Sequence, residues 1–133
     1  MFKRKLSKLT NTIEELQEGL VTTIWLHITT TSEVDQPTVR MVDLVEKHEY
    51  RALLWGMAEA AAQVIGVRDS QTAKALLKVL GDGEYFGRCA IAGEDPRYVD
   101  WRAKGSAVAI AVVHRRERPR EAFWNIAGAL CSA

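Results

Sequence analysis

The chain has 133 residues, the length of one ordinary domain, with 47% hydrophobic and 26% charged residues; this composition can fill a core and argues against general disorder. The formal net charge is +1, so no whole-molecule field draws the chain to nucleic acid or to an acidic membrane, and such a partner has to meet a local patch. Two cysteines, Cys89 and Cys131, stand far apart in no paired spacing, which speaks against a disulfide framework and for reduced, buried thiols in a cytoplasmic setting.

The opening MFKRKLSKLT is basic, but the polar NTIEELQEG follows it where a signal peptide needs an apolar stretch. Residues 1–9 are therefore expected to be a loosely ordered basic tail, and 10–133 a single helical domain. Thr12 followed by Glu15 is a capping-box pattern, so a helix is expected from about 12 to 31, with Ile13, Leu16, Leu20, Ile24 and His27 on one stripe. The β-branched LVTTIWLHITTT also fits a period of two, but a lone strand has few partners elsewhere in the chain.

SEVDQP interrupts the pattern, and Pro37 suits the first turn of a new helix. Met41, Leu44, Val45 and His48 form a stripe that points Arg40, Asp43 and Lys47 away. The stripe resumes as Tyr50, Leu53, Leu54, Met57, Ala61, Val64 and Ile65, giving one long helix or two with a kink at 48–50. Gly66 ends it as a C-terminal glycine. Asp69 or Ser70 caps the next helix, whose Ala73, Leu76, Leu77 and Leu80 face inward.

Glycines 81, 83, 87 and 93 surround YFGRCAIA, which reads as a short helix or as a β-ribbon over 84–92. Asp95 and Pro96 are a cap and first-turn pair. Tyr98, Trp101, Gly105, Val108 and Val112 then repeat at helical spacing, and Gly105 on this stripe marks close contact with a neighbouring helix, since an interior glycine otherwise weakens a helix by roughly 1 kcal/mol. Alanine content favours helix over strand at 107–113, and AVAIAVV there is far too short to span a bilayer, so no membrane partner is expected. After Pro119, Phe123, Ile126, Ala127 and Leu130 make a final amphipathic helix. The expected fold is all-α, a compact single-domain bundle of five to seven helices.

No residue set announces chemistry. HEYRA begins like a zinc-protease motif, but Ala52 stands where its second histidine belongs, and His48 on an apolar stripe reads as a core residue. GDGEYFG has Phe86 at the third-glycine position of a dinucleotide loop and follows a helical pattern, not a strand. KGSAV is not a nucleophile elbow. No catalytic residue, metal or cofactor is assigned, and the sequence leans away from an enzyme.

Two surfaces do suggest contacts. AEAAAQVIGVRDSQTAKALLKVLG, residues 58–81, has the small residues, glycine and following apolar residue of a helix-turn-helix, at Ala62, Gly66 and Val67. Its second helix should bury positions 72 and 75, whereas the pattern buries Ala73 and Leu76, so the motif needs a turn one residue longer than usual. Arg68, Gln71, Lys74 and Lys78 are the DNA-contact candidates there, joined by Arg115, Arg116, Arg118 and Arg120 of HRRERPR as phosphate contacts. The second surface is aromatic: Trp55, between Arg51 and Glu59 on a helix flank, and Trp124, off the stripe of its own helix, resemble interface anchors flanked by charge. The leading expectation is a non-enzymatic helical protein acting through a protein partner or itself as a homo-oligomer, whether adaptor, inhibitor, chaperone or self-associating subunit; the alternative is a helix-turn-helix DNA-binding regulator.

Overall fold

A computed structural model of the chain describes residues 2–31, 41–66 and 83–132. Among them it forms six helices and no strand: α1 Phe2–Thr31, α2 Met41–Leu44, α3 His48–Ile65, α4 Gly83–Glu94, a 3-10 turn Pro96–Tyr98, α5 Val99–Val113 and α6 Pro119–Ser132. The all-α architecture is as the periodicity predicts. The β-ribbon over 84–92 and the strands at 20–31 and 107–113 are not formed. No helix among the described residues is long and apolar enough to cross a membrane.

α1 begins ten residues earlier than the capping box suggests. Thr12 lies inside the helix, its hydroxyl donating to the Lys8 carbonyl at 2.8 Å, and Leu9 is fully buried. The loose tail over 1–9 is thereby corrected: burial of Leu9 in register with Ile13, Leu16, Leu20 and Ile24 carries the helix back through the basic residues. The threonine-rich end stays helical because its hydroxyls find acceptors one turn back. Thr23 donates to Gly19 at 2.7 Å, Thr29 to Trp25 at 2.9 Å and Thr30 to Leu26 at 2.7 Å.

The expected kink is a break, with α2 and α3 separated at residues 45–47. α3 is the central helix: residues 52–58 and 60–62 are all buried. It ends at Gly66, whose φ of 104° is left-handed and whose N–H donates to the Ala62 and Gln63 carbonyls. Val64, placed on the core stripe from sequence, is exposed. His48 is exposed as well, and stacks on Tyr98 with ring centroids 5.4 Å apart; it is a surface contact, not a core histidine.

α3 and α5 run antiparallel in close contact. A Cβ added to Gly56 would overlap the Arg102 carbonyl, and one added to Gly105 would overlap the Leu53 carbonyl. The two glycines therefore let backbone meet backbone. The Ser106 hydroxyl donates to the Gly56 carbonyl at 3.1 Å, and the Arg102 guanidinium makes two 2.6 Å bonds to the Glu59 carboxylate. On α3's next side Gly93 of α4 lies against the Trp55 ring. Asp95 caps the 3-10 turn by accepting from the Arg97 N–H at 2.9 Å, as the Asp-Pro pair suggests.

α1 and α6 pack in parallel: Gly19 meets Pro119 and Phe123, and His27 meets Trp124 and Gly128. Phe123, Ile126, Ala127 and Leu130 are buried, as expected of the last amphipathic stripe. Buried apolar residues from every helix join in one cluster, to which α2 contributes Leu44 and α4 contributes Cys89. Neither cysteine forms a disulfide among the described residues; Cys89 is buried and Cys131 half-buried.

Candidate interaction surface

The connection from α5 to α6 holds the arginine cluster in a defined shape. The His114 and Arg115 N–H groups donate to the Ile110 carbonyl at 2.9 and 3.1 Å, and the Glu117 N–H reaches back to Ala111 at 2.9 Å. That six-residue return needs a left-handed residue before it, supplied by Arg116 at φ 56°. Glycine is the low-strain choice there, and an arginine costs about 1 kcal/mol more; what it adds is a fourth guanidinium to the cluster of Arg115, Arg118 and Arg120. The chain then re-enters helix at Pro119, whose fixed φ suits the first turn, with the Ala122 N–H donating to the Arg118 carbonyl at 3.0 Å.

Arg115, Arg116, Arg118 and Arg120 are all exposed. None forms an ion pair among the described residues. Two of them, Arg118 and Arg120, line an open groove of about 600 Å³ with Glu121, Trp124 and Asn125. Trp124 is half-buried, held on one side by the His27 ring at a 5.0 Å centroid distance, and its remaining surface contributes apolar lining to the groove. A rigid aromatic beside unpaired guanidinium groups is the composition that interface hot spots favour.

The other aromatic candidate is corrected. Trp55 is only 2% exposed and lies in the chain's own core against Gly93. Its indole N–H is buried without a hydrogen-bond partner. Arg51 is likewise largely covered, with its side chain 12% exposed and Nη2 donating to Glu46 at 2.6 Å, while Glu59 is engaged with Arg102. The three hold α3 in place and do not form a surface patch together. The physical reason is that α3 is apolar on nearly every side, so its flank is interior. Of the four aromatic-surface residues read from sequence, Trp124 alone lines the groove.

Arg68, Gln71, Lys74 and Lys78 lie outside the described residues, as do Val67 and the second helix of the helix-turn-helix pattern. Of the residues in its first half, Ala62 is buried and Gly66 is left-handed at the end of α3. One surface residue escaped the sequence reading. Trp25 on α1 is 55% exposed, and its signal was its absence from the Leu20, Ile24, His27 stripe. Among the described residues no group of three histidine, cysteine, aspartate or glutamate side chains is placed to hold a metal ion. Compared with known proteins, the chain matches no family model, no curated protein and no solved structure.

Proposed function

We propose that the protein is a non-enzymatic helical interaction module, an adaptor or self-associating subunit whose contact surface is the groove at the start of α6. The observation that carries this reading is the groove itself: Trp124, Arg118 and Arg120 share its lining, with neither arginine in an ion pair among the described residues. Desolvating such guanidinium groups is favourable only when an acceptor meets them, so the surface suits a partner that brings carboxylates and an apolar side chain. Two cysteines that form no disulfide among the described residues fit a reducing, cytoplasmic setting.

The experiment is quantitative affinity capture with the wild type and with Arg118→Ala/Arg120→Ala. Both residues are exposed, so the melting temperature should hold, since such substitutions cost about 0.5 kcal/mol or less. The variant is expected to lose the captured proteins; equal capture by both forms overturns the reading.

The four exposed arginines favour one second reading, a DNA-binding regulator that uses residues 58–81 with the arginine loop on phosphates. Duplex affinity would then fall steeply with salt, and Lys74→Ala/Lys78→Ala would weaken it without changing stability. Weak duplex binding that ignores both the lysines and the arginines removes this alternative.

A further inference from the structure

The groove has a counterpart on the far side of α1. Glu14 and Glu18 are exposed, and Trp25 is the most exposed of the aromatic side chains among the described residues that the core leaves out. The three fall within about 40° of one another around the helix, so they make a single stripe. Neither glutamate is in an ion pair among the described residues. The stripe is therefore an exposed indole with two carboxylates outside any ion pair, and the groove is a half-buried indole with two such guanidinium groups, Asn125 and a single carboxylate, Glu121.

We propose that the Glu14, Glu18 and Trp25 stripe docks into the groove of a second copy of this chain. Charge complementarity selects the occupant, and the order of the groups along each chain agrees with it. On α1 both glutamates precede Trp25, and at the start of α6 both arginines precede Trp124. Indole on indole and carboxylate on guanidinium thus form together when the two helices lie side by side in the same direction. A molecule cannot use its own stripe. Gly19 and His27 face α6, and Trp25 is about 160° round the helix from His27, so the stripe points away from its own groove.

The contact joins two different patches, so it is heterologous. Each copy added leaves one groove and one stripe open, and assembly continues past a dimer into a chain or a closed ring. This docking presupposes that the groove is the contact surface proposed above.

The test is sedimentation equilibrium of the full chain. Wild type at low salt is expected to show a mass that rises beyond the dimer with concentration and falls in molar salt, where exposed ion pairs are screened. The stripe variant, Glu18→Gln/Trp25→Ala, and the groove variant, Arg118→Ala/Arg120→Ala, should each weaken self-association about tenfold or more. An equal mixture of the two variants is decisive: one supplies the groove and the other the stripe, so a one-to-one pair forms and nothing larger. A wild type that stays monomeric at low salt overturns the docking, as does an assembly that neither variant disturbs. If the wild type is monomeric while the groove variant loses its captured proteins, the docking fails and the interaction reading stands; if the groove variant changes neither measurement, both fail.

Discussion

Two helix pairs in this molecule are built on opposite principles. Where α3 crosses α5, glycine meets backbone on both sides, at Gly56 and at Gly105. Where α1 runs beside α6, the contacts are made by side-chain ends: Gly19 faces the Pro119 and Phe123 side chains, and His27 faces Trp124. Backbone cannot step aside, whereas a ring or a proline edge can shift by a few tenths of an ångström. The first pair is thus a fixed frame, and the second carries the groove on its outer edge, where residues can vary without disturbing the crossing.

The most severe way to break this contrast is the same substitution in both places. Gly56→Ala is expected to destabilise the fold by about 3 kcal/mol or more, because the Arg102 carbonyl cannot be displaced without separating the helices. Gly19→Ala places its methyl 3.0 Å from the Pro119 Cβ, and relief there is offset by the gain in helix propensity, so its effect should stay within about 1 kcal/mol. Urea denaturation of both variants measures the difference; equal losses would show that the pairs are alike.

Alkali probes the frame from another side. Burial, and next the neighbouring Cys89, pushes the Tyr50 phenol from its ordinary 10.0 up to about 12. The folded form therefore keeps a proton that the unfolded chain loses. Stability should be unaffected below pH 10 and decline as pH rises from 10 to 12, by about 3 kcal/mol in all. Tyr50→Phe should flatten that decline in denaturation curves taken across the window.

A smaller effect is expected at the ion pair that ties α3 to α5. Glu59 and Arg102 are partly exposed, at 22% and 36%, so a double-mutant cycle through Glu59→Gln and Arg102→Met should return a coupling of about 1 kcal/mol. If the coupling is absent, the glycine crossing alone sets the frame. Smallest is a gain: Arg116→Gly relieves the left-handed φ of 56° and should stabilise the chain by about 0.5–1 kcal/mol. Calorimetry reads it, and a loss in its place would mean that the Arg116 side chain holds the loop together.

Periodicity made the amphipathic helices readable from sequence. The α6 stripe and most of the α1 stripe are buried as their three- and four-residue repeats imply, and Gly105 announced a close contact because a glycine on a buried stripe has little other reason to be there. Its partner Gly56 was hidden. α3 is apolar or small at nearly every position, so no face stands out, and Trp55 was read as a flank. Small residues also misled at α4, where Gly87 and Gly93 resemble turn glycines. Gly93 sits inside a helix because the Trp55 ring needs the space. The groove was half readable: the arginines and Trp124 were each found, but sequence spacing cannot show that a helix entering at Pro119 puts them on one wall.

The glycine crossing has a further consequence, in the order in which the molecule opens. Amides on α3 near Gly56 and on α5 near Gly105 are bonded within their helices, and each glycine lies against a carbonyl of the facing helix, so neither helix can lose a turn there while the other stays. Their hydrogens should exchange with deuterated solvent only when the whole chain unfolds. The threonine-rich end of α1, with Thr29 and Thr30 exposed, can fray turn by turn and should exchange orders of magnitude sooner. Deuterium uptake would thus separate a slow kernel around the crossing from a fast rim, and the kernel is assembled from segments roughly fifty residues apart in sequence.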